Sequence, residues 1–229
     1  MPEFEAGFYD FDGTLANSQQ HNKRLMILGL RALGEERSED VIRAAMAFPW
    51  DDCVRYMFPH ADQSLIELYD HYVTDAHYQT IDDLEIFPGV LDTLRSNHQQ
   101  QISLAIVSNR EHSIYWMLRK KGLYDYFDAF VDVSMVKEPK PSPEPTRLAA
   151  SFLSVNPKHC FAVGDSITDI KSYQKAGVGL TIGFAPGYDG DGLWEANPDH
   201  IVQSYKTIEY IISHGIRRVG DEPVVWREV

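Results

Sequence analysis

The stretch Asp10-Phe11-Asp12-Gly13-Thr14 sets two carboxylates two residues apart beside a glycine, directly after the apolar run 4–9. Residues two apart on extended chain share a face. Both acids are therefore expected to project together beyond a strand's carboxyl end, where open α/β sheets place their active sites. A second acidic group, Gly164-Asp165-Ser166-Ile167-Thr168-Asp169, follows the apolar run 160–163 and opens a helical segment. Carboxylates gathered in one crevice repel: two unit charges ~4 Å apart cost roughly 4 kcal/mol at an effective dielectric of about 20. A hard divalent cation neutralises such a set, and Mg2+ suits a few protein oxygens completed by water and a substrate phosphate. The twelve-residue EF-hand pattern of a calcium loop is absent. Metal plus carboxylates points to phosphate chemistry, in which one aspartate attacks phosphorus and carries it covalently.

Two more strand ends offer what a phosphoryl group needs. Ser108-Asn109, after the run 102–107, brings a hydroxyl, an amide and backbone N–H groups to the start of a helix, an anion cradle. Lys140 stands in the proline-stiffened loop Pro139-Lys140-Pro141-Ser142-Pro143, placed to pair with both a nucleophilic carboxylate and a phosphate oxygen. Arg110 is read equally as a phosphate contact or as a solvated helix start.

These groups need elements to carry them. The runs 4–9, 102–107, 129–133, 160–163 and 179–182 are rich in Val, Ile, Phe or Ala and read as strands buried on both faces. Helical segments at about 90–97, 113–121, 143–153 and 168–176 alternate with them, which means a parallel sheet with right-handed crossovers. Residues 16–86 interrupt the scheme with helical spacing, as in Leu25, Leu28, Arg31, Ala32 and in Leu65, Leu68, Tyr69, Tyr72. The expected fold class is α/β: a Rossmann-like, doubly wound parallel core from 1–15 and 87–229, with a helical cap domain inserted at 16–86. The tail 215–229 is consistent with an added edge strand, a packed tail or a subunit contact.

Composition narrows the partners. With 229 residues and 44% hydrophobic content the chain buries a real core. Its formal charge of −13 repels DNA, RNA and anionic lipid, so neither nucleic acid nor membrane is an expected partner. No run approaches the ~18 apolar residues of a membrane span. Cys53 and Cys160 lack any metal-ligand spacing and read as reduced thiols. The acidic start is unlike a signal peptide, so a cytoplasmic monomer or homodimer is expected.

In this order the motifs resemble the haloacid dehalogenase-like hydrolases, specifically the phosphoglycolate phosphatase-like branch with a helical cap after the first motif. The likeness runs to about residue 214. It implies Asp10 as the nucleophile that forms an aspartyl-phosphate, Asp12 as general acid and then base, and Thr14 as the group that helps hold Asp12. It implies that Ser108 and the Asn109 backbone bind the transferring phosphoryl group and that Lys140 neutralises it. Mg2+ would be held by Asp10, Asp165 and the backbone carbonyl of Asp12, with Asp169 a ligand through water or a partner of Lys140. The cap would close to exclude water during transfer. The activity implied is Mg2+-dependent hydrolysis of a small phosphorylated metabolite. A carboxylate two residues after the nucleophile favours phosphate-ester hydrolysis over dehalogenation or ATP-driven transport. The alternatives are a β-phosphoglucomutase-like phosphosugar mutase and a non-catalytic binding protein on the same fold. The cap has no lysine between Leu25 and Arg119, so a mutase would need Arg37, Arg43 or Arg55 for a second phosphate, and a Schiff-base enzyme would need Lys23.

Overall fold

Apolar runs of three to five residues are too short to bury themselves as helices, and in the computed structural model they form one parallel sheet. The structure describes residues 3–46, 50–110, 113–186, 192–217, 220 and 223–226. The strands are β1 (Ala6–Tyr9), β2 (Ser103–Val107), β3 (Ala129–Val131), β4 (Cys160–Gly164), β5 (Leu180–Phe184), β6 (His200–Val202) and β7 (Val224–Trp226). Their spatial order is β3-β2-β1-β4-β5-β6-β7, every pair parallel. The chain winds outward from β1 in one direction through β2 and β3, then crosses to β4 and winds the other way. The crevice where the order reverses therefore lies at the carboxyl ends of β1 and β4.

The chain divides into two compact units, Met1–Ala16 with Ile86–Val229, and Asn17–Glu85. In the sheet-bearing unit β1, β4 and β5 are buried along their whole length, as strands covered by helices on both faces must be. Its packing is aromatic at the centre. Gly7 has no side chain, and the Phe161 ring occupies that space: a Cβ there would stand 2.3 Å from Phe161 Cζ. The same ring meets Phe4 and Tyr9 edge-on, with centroids 5.5 and 5.7 Å away.

Two elements go beyond the sequence-based expectation. β6 has three residues with a histidine at its head, too little pattern to register as a strand. The run 224–226 forms the edge strand β7, paired with β6, which selects the edge-strand option for that part of the tail; residues 218–219, 221–222 and 227–229 lie outside the described residues. Between the strands run α5 (Val90–Gln99), α6 (Ser113–Lys120), α7 (Glu144–Leu153) and α8 (Ile167–Ala176), and two helices escape the sequence-based assignment, α9 (Leu193–Ala196) and α10 (Tyr205–His214).

The helical unit contains α1 (Ser18–Ala32), α2 (Glu39–Ala45), α3 (Trp50–Met57) and α4 (Gln63–Thr80). α1 and α4 carry the residues whose helical spacing is read in the sequence, but their buried faces are rotated from that stripe. α1 buries Leu25, Met26, Gly29 and Leu30 rather than Leu28, Arg31 and Ala32, and α4 buries Ile66, Tyr69 and Val73 while Leu68 is 42% exposed. Gly29 decides the phase, because α4 crosses there so closely that a Cβ would stand 2.6 Å from Val73 Cγ2. Cys53 and Cys160 are both free and buried. Among the described residues no helix is long and apolar enough to cross a membrane.

Phe161→Ala is expected to destabilise the sheet-bearing unit by about 3–5 kcal/mol, because the surrounding rings close only partly over the void. Urea unfolding followed by circular dichroism reads this as a lowered midpoint.

Candidate functional site

The first motif begins where β1 stops. Asp10 still donates its N–H to the Val163 carbonyl of β4 at 3.0 Å, so the two strand ends are tied together. The chain then turns tightly: Leu15 and Ala16 donate back to the Phe11 carbonyl at 2.9 and 3.0 Å, and Gly13 donates to Ala16 at 2.8 Å. Gly13 has φ +76°, and a Cβ there would stand 2.1 Å from Asp165 Oδ2. Only glycine fits both the left-handed turn and the carboxylate packed against it. Because β1 ends at Tyr9, strand alternation does not govern Asp10 and Asp12, and the two carboxylates take different partners.

Asp10, Asp165 and Asp169 converge, each offering an oxygen within 4.8 Å of the others. Lys140 sits among them. Its Nζ lies 2.7 Å from Asp10 Oδ1 and 2.5 Å from Asp169 Oδ1, and donates to the Val107 carbonyl at 2.8 Å. Asp10, Lys140 and Asp169 are all at most 5% exposed. Burial pushes Asp10 up to about 7, against the pull of Lys140 and with repulsion from Asp169 and Asp12 added. Burial, then the charges of Asp169 and Asp10, push Asp165 well above the usual carboxylate range. Burial alone would depress Lys140, but the Asp10 and Asp169 carboxylates outweigh it and hold the ammonium above the usual lysine range. One ammonium does not balance three carboxylates. An all-oxygen donor set with an uncompensated negative charge fits a hard divalent cation.

Asp169 does two jobs. Its Oδ2 accepts from the Ser166 N–H and hydroxyl at 3.0 and 2.5 Å while Ser166 caps α8 (Ile167–Ala176) in return, a reciprocal capping box. Its Oδ1 remains for Lys140. The helix cap and the ion pair thus use different oxygens of this acid.

Asp12 turns its carboxylate to Arg110. Nε donates to Oδ2 and Nη2 to Oδ1, both at 2.7 Å, a planar fork. Its side chain therefore stands apart from the three converging acids, and its claim on a metal rests on the backbone carbonyl. Thr14 departs from expectation: its hydroxyl donates to Asp165 Oδ1 at 3.1 Å, supporting that acid rather than Asp12, whose oxygens face Arg110. Ser108 is buried, and its Oγ accepts from the Arg110 N–H at 3.1 Å. The Asn109 side chain brackets Lys140, donating to its carbonyl at 3.1 Å and accepting from its N–H at 3.0 Å. This amide sets the height of Lys140 in the crevice.

Sequence reasoning did not find two tyrosines. Tyr205 of α10 donates to the Thr14 carbonyl at 2.9 Å, and Tyr173 of α8 donates to the Val163 carbonyl at 3.2 Å. Both are fully buried and steady the two strand ends that carry the acids. Nothing local marks Tyr205, because its partner is 191 positions away.

The family model for haloacid dehalogenase-like hydrolases matches residues 8–182. The pyrophosphatase PpaX of Oceanobacillus iheyensis is 34% identical over 127 residues, which is 55% of this chain and 59% of that protein. A phosphoglycolate phosphatase of Salmonella typhi is 29% identical over 231 residues, 87% of this chain and 89% of that protein. Among solved structures, the proposed β-phosphoglucomutase of Thermotoga maritima superposes with a TM-score of 0.82 at 25% identity, covering 93% of this chain and 100% of that one.

A carboxyl whose folded pKa is raised binds its proton more tightly folded than unfolded. It therefore removes stability as pH climbs from its unfolded value of 3.8 to its folded value of about 7. Asp10→Asn imitates the protonated form. In EDTA its stability relative to the parent is expected to rise between pH 4 and pH 7 and level off above, as urea midpoints taken across that range would report. A constant difference would contradict the raised pKa.

Proposed function

This chain belongs to the haloacid dehalogenase-like hydrolases and is a phosphatase, and from that premise we propose a Mg2+-dependent hydrolysis of a small phosphorylated metabolite through Asp10. A carboxylate oxygen of Asp10 attacks phosphorus, the bond from phosphorus to the leaving oxygen breaks, and Asp12 gives that oxygen its proton. Asp12, now a carboxylate, takes a proton from water. The water oxygen attacks the phosphorus of the aspartyl-phosphate, and inorganic phosphate leaves with Asp10 restored. Asp10, Asp165 and the Asp12 backbone carbonyl would hold Mg2+, with Asp169 behind Lys140. When bound, the cation supplies charge compensation for the acids and for the phosphoryl oxygens. Ser108 and the Asn109 backbone cradle the phosphoryl group at the end of β2, and Lys140 keeps Asp10 oriented.

The observation that carries this reading is the convergence of Asp10, Asp165 and Asp169, two of them paired with one buried ammonium, at the point where the sheet reverses its winding. The three relatives named above differ in substrate, so likeness alone does not choose one for this chain. The helical unit takes the part of the cap. Within it Lys23 pairs with Glu39 at 2.5 Å, Arg37 donates to Met57 O at 2.9 Å and pairs with Glu35 at 2.7 Å, and Arg43 pairs with Asp40. Arg37 and Arg43 are thereby committed, and a mutase would have to anchor its second phosphate on Arg55, which is exposed.

Asp10→Asn should lower turnover by about four orders of magnitude or more while leaving the fold intact, since every later step needs the phosphorylated carboxylate. Released phosphate from a panel of phosphate esters measures it, and near-normal rates in this variant would remove the nucleophile. EDTA is expected to silence the parent enzyme and excess Mg2+ to restore it; hydrolysis that ignores chelation would contradict the charge balance.

A further inference from the structure

An ammonium has three N–H groups, and all three of Lys140 are committed within the protein: to Asp10, to Asp169 and to the Val107 carbonyl, at 2.7, 2.5 and 2.8 Å. Its backbone is clamped on both sides by Asn109, and its side chain is 2% exposed. In this arrangement every Lys140 N–H is taken up within the protein. The other cation set against the acids among the described residues is Arg110, two positions after Ser108 in the loop that cradles the phosphoryl group. Its side chain is 20% exposed and that of Asp12 is 29%. This pair is reachable, whereas the Lys140 pairs are not. The fork covers both Asp12 oxygens on the side where a carboxylate is most basic, so Asp12 in this arrangement is poorly placed to exchange protons with a leaving group or a water.

We propose that Arg110 exchanges anions: in the resting enzyme it clamps Asp12, and an arriving phosphoryl group draws it away, so that the same movement neutralises the phosphoryl oxygens and uncovers Asp12. Three consequences follow from the geometry. The positive charge that moves to the substrate is that of Arg110. Lys140 is a positioning residue for the Asp10 nucleophile. Asp12 is unmasked only when an anion of the right charge is present to receive the guanidinium, which exchanges one bidentate partner for another at little net cost.

The proposal rests on the phosphatase reading but is testable without turnover. The 15Nε and 1Hε signals of Arg110, assigned by their loss in Arg110→Lys, are followed while inorganic phosphate is added to the parent protein with Mg2+ present. Exchange predicts a saturable shift of the Arg110 Nε signal as its bond to Asp12 is replaced. Arg110→Gln should weaken phosphate affinity by at least about tenfold and raise KM in the same proportion. Arg110→Lys, which keeps the charge and loses the fork, should stay nearer the parent than the glutamine variant in both. An Arg110 signal unmoved at saturating phosphate overturns the exchange. So does an Arg110→Gln enzyme that binds phosphate as the parent does and loses only kcat, because Arg110 would then only hold Asp12. If Arg110→Gln does not fold, the titration of the parent and the lysine variant still decide. Failure of every phosphate ester to be hydrolysed, with the Arg110 shift intact, would sink the phosphatase reading and leave the anion exchange standing.

Discussion

A single buried ammonium organises this molecule. Lys140 lies between Asp10 and Asp169 in a place where charge is costly: burial pushes the Asp10 carboxyl toward its neutral form, and the lysine is held charged because the two carboxylates flank it. A buried ion pair of this kind is not a source of stability, since desolvating ions costs more than a typical pair returns. It persists because the rest of the fold over-determines it. Asn109 holds the Lys140 backbone, Ser166 holds the far oxygen of Asp169, Tyr205 holds the Thr14 carbonyl, and Gly13 leaves the space that Asp165 fills.

The parallel sheet makes this possible. Five of its strands were legible as short apolar runs, and the reversal of winding between β1 and β4 brings residues 10 and 165 to one crevice while their chain separation stays large. Each acid comes from the end of an element whose other positions are fully buried, so each is fixed by packing rather than by a loop of its own. The outer pair, Asp12 with Arg110, is only half-buried, whereas the inner pairs of Lys140 are buried.

The errors of the sequence-based reading have identifiable causes. The stripes assigned to α1 and α4 were rotated because hydrophobicity favoured Leu28 and Leu68, whereas the contact is set by Gly29, where closeness of approach outweighs side-chain apolarity. β6 was too short to show alternation. The family resemblance implies Thr14 as a support of Asp12, yet in space its hydroxyl reaches Asp165. The bidentate hold of Arg110 on Asp12 crosses 98 positions, and neither residue's neighbours carry any trace of it.

Sequence by itself determined five of the strands, the parallel architecture and the identities of Asp10, Asp12, Ser108, Lys140, Asp165 and Asp169 as groups with chemical potential. These are local properties: apolar period, turn chemistry, and functional groups placed just past strand ends. Tertiary structure alone decided which charge meets which. Ion pairs and hydrogen bonds depend on distances of a few ångströms between elements distant along the chain, and the packing of Tyr205, Asn109 and Gly13 that sets those distances is a property of the whole fold rather than of any segment within it.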